Sequence, residues 1–279
     1  SDLQDGTLTD PGSVEIIPMT VRFGEREYIY GPGGNISIAE FYELQKTGLF
    51  ASTAGINPDT YTRYFEPTLQ AGKDILYLCF SSGLSGMIQS SIMSIEELRE
   101  QYPEREIVCI DTLCASLGEG FLVIEAARKQ SQGLSLHGLE EWVLAHRLQV
   151  CHWFTVDRFD HLLHGGRVSA VSAVAGTVLQ IKPLLHVDEK GCLMVAAKPR
   201  GRKNAIAMQL EKLEQGWLPD VSKLIIIGHG NCPDGAEILR QEVTARFPQA
   251  EIMIMEIGPV IGAHTGPGML AVLYWGNTR

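Results

Sequence analysis

Residues 73–102 read K-D-I-L-Y-L-C-F-S-S-G-L-S-G-M-I-Q-S-S-I-M-S-I-E-E-L-R-E-Q-Y, and their pattern decides how the rest of the chain is read. Residues 75–80 are an apolar run of strand length, bounded by Lys73-Asp74 and by a serine–glycine turn. From Leu84 onward the apolar residues fall at helical spacing, through Met87, Ile88, Ile92, Ile95 and Leu98. The unit is strand, S-S-G-L-S-G turn, helix. Such a turn aims free backbone N–H groups and the positive end of a helix dipole at whatever lies beyond the strand. Ser81, Ser82 and Ser85 add hydroxyl donors at the same rim, so an anion is expected there. The same pattern taken alone also describes a tight turn that caps a helix.

Outward from this unit, residues 106–110 form a second apolar strand ending at Asp111-Thr112, and helices are expected through residue 130 and over 135–150. Strands alternating with helices indicate a mainly parallel sheet covered on both faces, with ligands at the carboxyl ends of its strands. Upstream, residues 14–23 read as a strand, with Pro18 marking an edge position, and residues 26–30 pair back onto it. Ser37 and Glu40 form a capping box, and Asn57-Pro58 starts a helix after the hydroxyl-bearing loop 51–58.

The second half opens with a strand over 151–156 and a short helix over 157–163, stopped by Gly165-Gly166. A helix of small and apolar residues is expected up to residue 181, and residues 168–181 are a candidate tunnel wall as well as candidate core. Residues 183–187 and 192–197 look like a hairpin across Asp188-Glu189-Lys190-Gly191. A basic patch (Lys198, Arg200, Arg202, Lys203) precedes a helix over 204–217, and strands follow at 223–228 and 251–257. Residues 258–268 read as a glycine-rich loop carrying His264, followed by an apolar run to Trp275.

Composition narrows the function classes. With 279 residues and 45% hydrophobic content, the chain has material for about two domains. They are placed at 1–150, which opens on a polar, turn-rich stretch with no strand before it, and at 151–279. The net charge of −10 argues against nucleic acid as a partner. No apolar run is long enough to span a membrane, and no signal peptide is read at residue 1. The six cysteines include no C-x-x-C pair, which fits reduced thiols in a cytoplasmic protein. His161 and His164 stand at i, i+3 without a third ligand, so no metal is expected. No phosphate-binding G-x-x-x-x-G-K-[ST] loop is present, which speaks against a kinase acting alone.

Taken together, S-S-G-L-S-G, D-T-L-C-A-S-L-G-E-G, D-R-F-D-H-L-L-H-G-G-R-V-S, I-K-P-L-L with R-G-R-K, and G-P-V-I-G-A-H-T-G-P-G resemble the DegV family of bacterial fatty-acid-binding proteins. That family includes the lipid-binding subunits of fatty acid kinase. The resemblance implies a two-domain α/β fold with a mainly parallel sheet domain, a second α/β domain, and one long-chain fatty acid in the cleft between them. It places the carboxylate against Thr53, Ser85 and His264, with the Gly86 amide as a further donor. It also implies a non-catalytic carrier whose bound acid is phosphorylated by a separate kinase subunit, docked near Arg167 and Arg202. No cofactor is implied besides the bound lipid. Three positions depart from the family pattern: Ala54 and Gly55 in the threonine loop, and Met87 after the S-G pair.

A rival reading comes from the chain order Ser85, Asp111, His264, which is that of an α/β-hydrolase triad. The nucleophile elbow requires G-x-S-x-G, and here the last glycine is Met87. The carrier reading is therefore preferred.

Overall fold

The computed structural model describes residues 2–3, 14–168, 180–277 and 279. The expected tunnel-wall segment lies largely outside these residues. Among the described residues, three sheets and nine α-helices make a mixed α/β fold.

The largest sheet explains the continuous apolar runs of the second half. It joins β6 (Val150–Thr155), β7 (Leu184–Val187), β8 (Leu193–Ala197), β9 (Leu224–His229), β10 (Glu251–Glu256) and β11 (Leu270–Trp275) in the order β10-β9-β11-β6-β7-β8. Every residue of β6, β9 and β11 is buried. A strand buried on both faces has no polar alternation to display. The side-chain period of two survives in what each face touches. Phe154, Ile226 and Leu273 pack beneath α4 (Ser116–Ser131), beside Leu117 and Phe121. Trp153, Ile225 and Val272 pack on the opposite face against α7 (Arg202–Gly216) and α8 (Pro233–Arg246).

Parallel pairing holds for β9 with β10, while β11 runs antiparallel between β9 and β6. The other parallel pair is β4 (Ile75–Cys79) with β5 (Ile107–Asp111), in the register Ile75↔Ile107 to Cys79↔Asp111. One face of this pair meets α2 (Pro58–Gln70) and α3 (Met87–Gln101), through Phe65, Leu69, Ile95 and Leu98. The other meets α4 and α5 (Leu136–His146), through Ala126, Leu139 and Val143. Helix α4 thus contributes to the cores of both sheets.

The third sheet is antiparallel, in the order β2-β1-β3, from β1 (Met19–Phe23), β2 (Arg26–Tyr30) and β3 (Ala51–Thr53). Its strand β1 starts after Pro18, which has no N–H to give to a ladder. Helix α1 (Ile38–Lys46) begins at the expected capping box: Ser37 Oγ accepts from the Glu40 amide, and the Glu40 carboxylate accepts from the Ser37 amide. Asn57 caps α2 through its side chain.

Helix α3 starts at Met87 rather than at Leu84, because residues 81–86 are used as a turn with Gly86 as the N-cap. The short helix α6 is Asp160–His164. The expected glycine-rich loop at 258–268 is in large part a helix, α9 (Pro259–Thr265). Pro259 supplies a pre-set φ at the first helical position, and Gly266 at φ +71 ends the helix in a conformation suited to glycine. No described helix is long and apolar enough to cross a membrane.

Candidate functional site

Three separate parts of the chain converge at the end of β4. The first is the turn 81–86. Ser81 is fully buried and acts as its hub: its carbonyl accepts from the amides of Leu84 and Ser85, each at 3.1 Å. Its hydroxyl accepts from the Gly83 amide at 3.2 Å and donates to the Gly191 carbonyl at 2.8 Å. Ser81 is therefore committed to structure, whereas Ser85 is half-buried and lines a cavity. Gly86 is exposed at the start of α3, a helix that no side chain caps.

The second part is Thr53 at the end of β3, and the third is His264 near the end of α9. Thr53 Oγ1 lies 2.9 Å from His264 Nε2. His264 Nδ1 is buried without a hydrogen-bond partner among the described residues. A Cβ added at Gly165 would stand 2.2 Å from it, so glycine is what lets the ring fit. A buried N–H with no acceptor is more costly than a bare lone pair, which places the proton on Nε2. The imidazole then donates to Thr53, and the threonine hydroxyl is left to donate onward. Burial, with the Arg167 guanidinium and His164 nearby, pushes the His264 pKa down to about 4. The ring is neutral at ordinary pH.

Arg167 brings the positive charge. Its Nε donates to the Leu84 carbonyl at 3.1 Å and a terminal nitrogen donates to the Gly165 carbonyl. It lines the same cavity as Thr53, Ser85 and His264. An arginine expected at a docking surface is thus also tied to the turn 81–86.

The cavity has a volume of about 1210 Å³, more than the range of about 300–1,000 Å³ usual for one small ligand. It follows mainly apolar walls, including Ile56, Phe65, Met87, Phe154 and Leu162, and runs along β4 past Ile75 to Leu78. Gly55 and Met87 are neighbours, and a Cβ at position 55 would lie 4.0 Å from Met87 Cγ, an ordinary contact that does not demand glycine. A second polar region of the wall comes from Asp2, Ser116, Glu119 and His152. Ser116 Oγ and the Gly258 amide donate to the Asp2 carboxylate, and burial raises the Asp2 pKa to about 6. Spacing gave no hint of this group, because its members come together only in three dimensions.

Other expected site residues lie elsewhere. The Asp111 carboxylate accepts from the amides of Ser82 and Leu113, at 3.2 and 3.0 Å. His264 directs Nε2 to Thr53 and neither nitrogen to Asp111, so the hydrolase triad is not assembled. Arg202 is held by Asp157 and by the Gly268 carbonyl, with Lys182 also on Asp157 at 2.9 Å. Lys198, Arg200 and Lys203 are exposed. Among the described residues, no group of three His, Cys, Asp or Glu side chains could hold a metal ion.

The family profile described as "Uncharacterised protein, DegV family" matches residues 2–277. A DegV domain-containing protein of Clostridium perfringens is 40% identical over 253 residues, covering 91% of this chain and 87% of the relative. Among solved structures, a DegV family protein from Thermus thermophilus, described for its fatty acid binding, superposes with a TM-score of 0.84 at 27% identity. It covers 99% of this chain and 96% of its own. The Streptococcus pneumoniae fatty acid kinase B3 protein loaded with linoleic acid shares the fold, with a TM-score of 0.83 at 23% identity. That match covers 94% of this chain and 90% of the other.

Proposed function

The chain belongs to the DegV family, and from that premise we propose that it binds one long-chain fatty acid, with the carboxylate at Thr53, Ser85, Gly86 and His264. The observation that carries this reading is the chemical asymmetry of the cavity. Of the two polar regions in its mainly apolar wall, one carries the carboxyl groups of Asp2 and Glu119, whereas at the other Thr53, Ser85 and Arg167 offer donors and positive charge to an anion. A carboxylate leaving water requires such partners, because burying it unpaired is prohibitive. The His264 N–H releases the threonine hydroxyl for donation, and in this reading Gly86, exposed at the start of α3 beside the cavity-lining Ser85 and Met87, adds its amide.

The tail supplies affinity and the head supplies orientation. Burial is worth about 0.8 kcal/mol per methylene, so a chain of roughly 16 carbons offers on the order of 12 kcal/mol before the costs of association. We read the cavity as lying between an N-terminal half, 1–150, and a C-terminal half, 151–279. In this reading the protein is a cytoplasmic carrier with no catalytic residue and no cofactor beyond its lipid. It presents the carboxylate to a separate fatty acid kinase subunit for acyl phosphate formation. Arg167, at the head of the pocket, is the better placed of the two docking candidates. Arg202 would first have to give up Asp157.

Lipid extraction and native mass spectrometry on freshly purified protein test the proposal. One fatty acid per chain is the expected result. Protein that is empty, takes up no fatty acid and cleaves an ester would overturn it in favour of a hydrolase.

A further inference from the structure

The head-group turn is held from the other half of the chain, by the tip of the β7–β8 hairpin. Residues 188–191 form that tip, closed by a bond from the Gly191 amide to the Asp188 carbonyl at 3.0 Å. The tip touches the turn 81–86 with no room to spare. A Cβ added at Gly83 would meet the Gly191 carbonyl carbon and the Lys190 carbonyl oxygen, both at 2.8 Å. A Cβ at Gly191 would stand 2.0 Å from Ser81 Oγ and 3.2 Å from Leu113 Cα, and Gly191 has φ +74. Cys192 Sγ lies 3.7 Å from the Gly83 carbonyl. The Arg279 guanidinium donates to the carbonyls of Asp188 and Leu113, which fastens the tip to the loop after β5.

We propose that Gly191 and Ser81 are positioning residues for the ligand's head group. The Gly191 carbonyl fixes the buried Ser81 hydroxyl, and Ser81 in turn fixes the amides of Gly83, Leu84 and Ser85. The inference rests on the carboxylate reading of this turn and adds what holds it in shape. A turn loosened at Ser81 leaves the apolar walls intact but spreads the donors at Ser85 and Gly86 over several arrangements. Only a ligand that uses those donors suffers.

The test compares Ser81→Ala and Gly191→Ala with the parent protein, using oleic acid and oleyl alcohol as probes in a calorimetric or fluorescence-displacement titration. Ser81→Ala removes the hydroxyl's bonds to the Gly191 carbonyl and the Gly83 amide but keeps the Ser81 carbonyl's bonds to Leu84 and Ser85, so it decides the matter even if Gly191→Ala does not fold. The parent is expected to favour the acid. Each variant is expected to lose roughly tenfold in acid affinity, with the alcohol changed less than about twofold. Equal losses for both probes would overturn the inference, since general loosening does not distinguish them. Unchanged acid affinity in Ser81→Ala would overturn it too. A parent that binds acid and alcohol equally would overturn the carboxylate reading itself, whatever the variants do.

Discussion

Thr53 Oγ1 and His264 Nε2 meet at 2.9 Å although 211 positions separate them. One residue ends an antiparallel strand and the other stands near the end of a seven-residue helix that packs on that strand. The contact turns a weakly basic imidazole into the orienter of a hydroxyl.

If the two side chains act as one donor, their losses should not multiply. Thr53→Val and His264→Gln are each expected to reduce fatty-acid affinity by roughly tenfold. The double variant should be little weaker than either, which corresponds to a coupling on the order of 1 kcal/mol. A titration series over the four proteins measures this, and fully multiplicative losses would show that the two bind the ligand independently.

Helix α9 is held against α1 by two buried side chains. Tyr42 donates its hydroxyl to the Ile257 carbonyl at 3.0 Å, and Gln45 donates to the Gly262 carbonyl at 3.0 Å. Tyr42→Phe leaves Ile257 without that donor at nearly constant volume. A loss of about 1–2 kcal/mol is expected in urea unfolding, with the slope unchanged. A variant as stable as the parent would mean that the phenol contributes only its ring.

Helix α4 approaches β6 so closely that Gly118 has no substitute. A Cβ there would lie 1.8 Å from His152 Nε2. The ring is buried and its Nδ1 is 2.9 Å from the Val150 carbonyl, so it has nowhere to retreat. Gly118→Ala is expected to destabilise by about 3 kcal/mol or more, within the range of severe overpacking. Adding His152→Ala should recover part of the loss. Failure of that second change to help would locate the strain elsewhere.

Legibility in the sequence followed the range of the forces concerned. The β4–α3 unit, the Ser37–Glu40 capping box and the Asn57 cap are local, and each was readable from a few neighbouring residues. Thr53, Ser85, Arg167 and His264 were identified by resemblance, and they line one cavity. Helix α9 reads as a loop in sequence because its glycines and histidine outweigh Pro259 and Gly266, the residues that mark its ends. The grip of Gly191 on Ser81 had no sequence signal, since hairpin turns use glycine for their own geometry. The same limit hid the commitment of Arg202 to Asp157, for a basic run looks alike whether it is solvated or paired.

The depressed pKa of His264 makes both stability and binding depend on pH, with definite signs. The folded protein holds this group at about 4, against 6.5 for an ordinary imidazole. Between those values the unfolded chain binds more protons, so stability rises with pH there. The contribution is complete above about pH 6.5 and is lost as pH falls toward 4, and it amounts to about 3 kcal/mol at most. His264→Gln should therefore flatten the stability curve in this window when parent and variant are compared. A bound carboxylate beside the ring acts in the opposite direction, since a nearby negative charge favours the imidazolium. Fatty-acid binding near pH 6 should then draw protons from solution. Calorimetry in two buffers of different ionisation enthalpy would reveal the uptake, and His264→Gln should abolish it. Binding without proton uptake in the parent would place the carboxylate away from His264 and require another site for the head group.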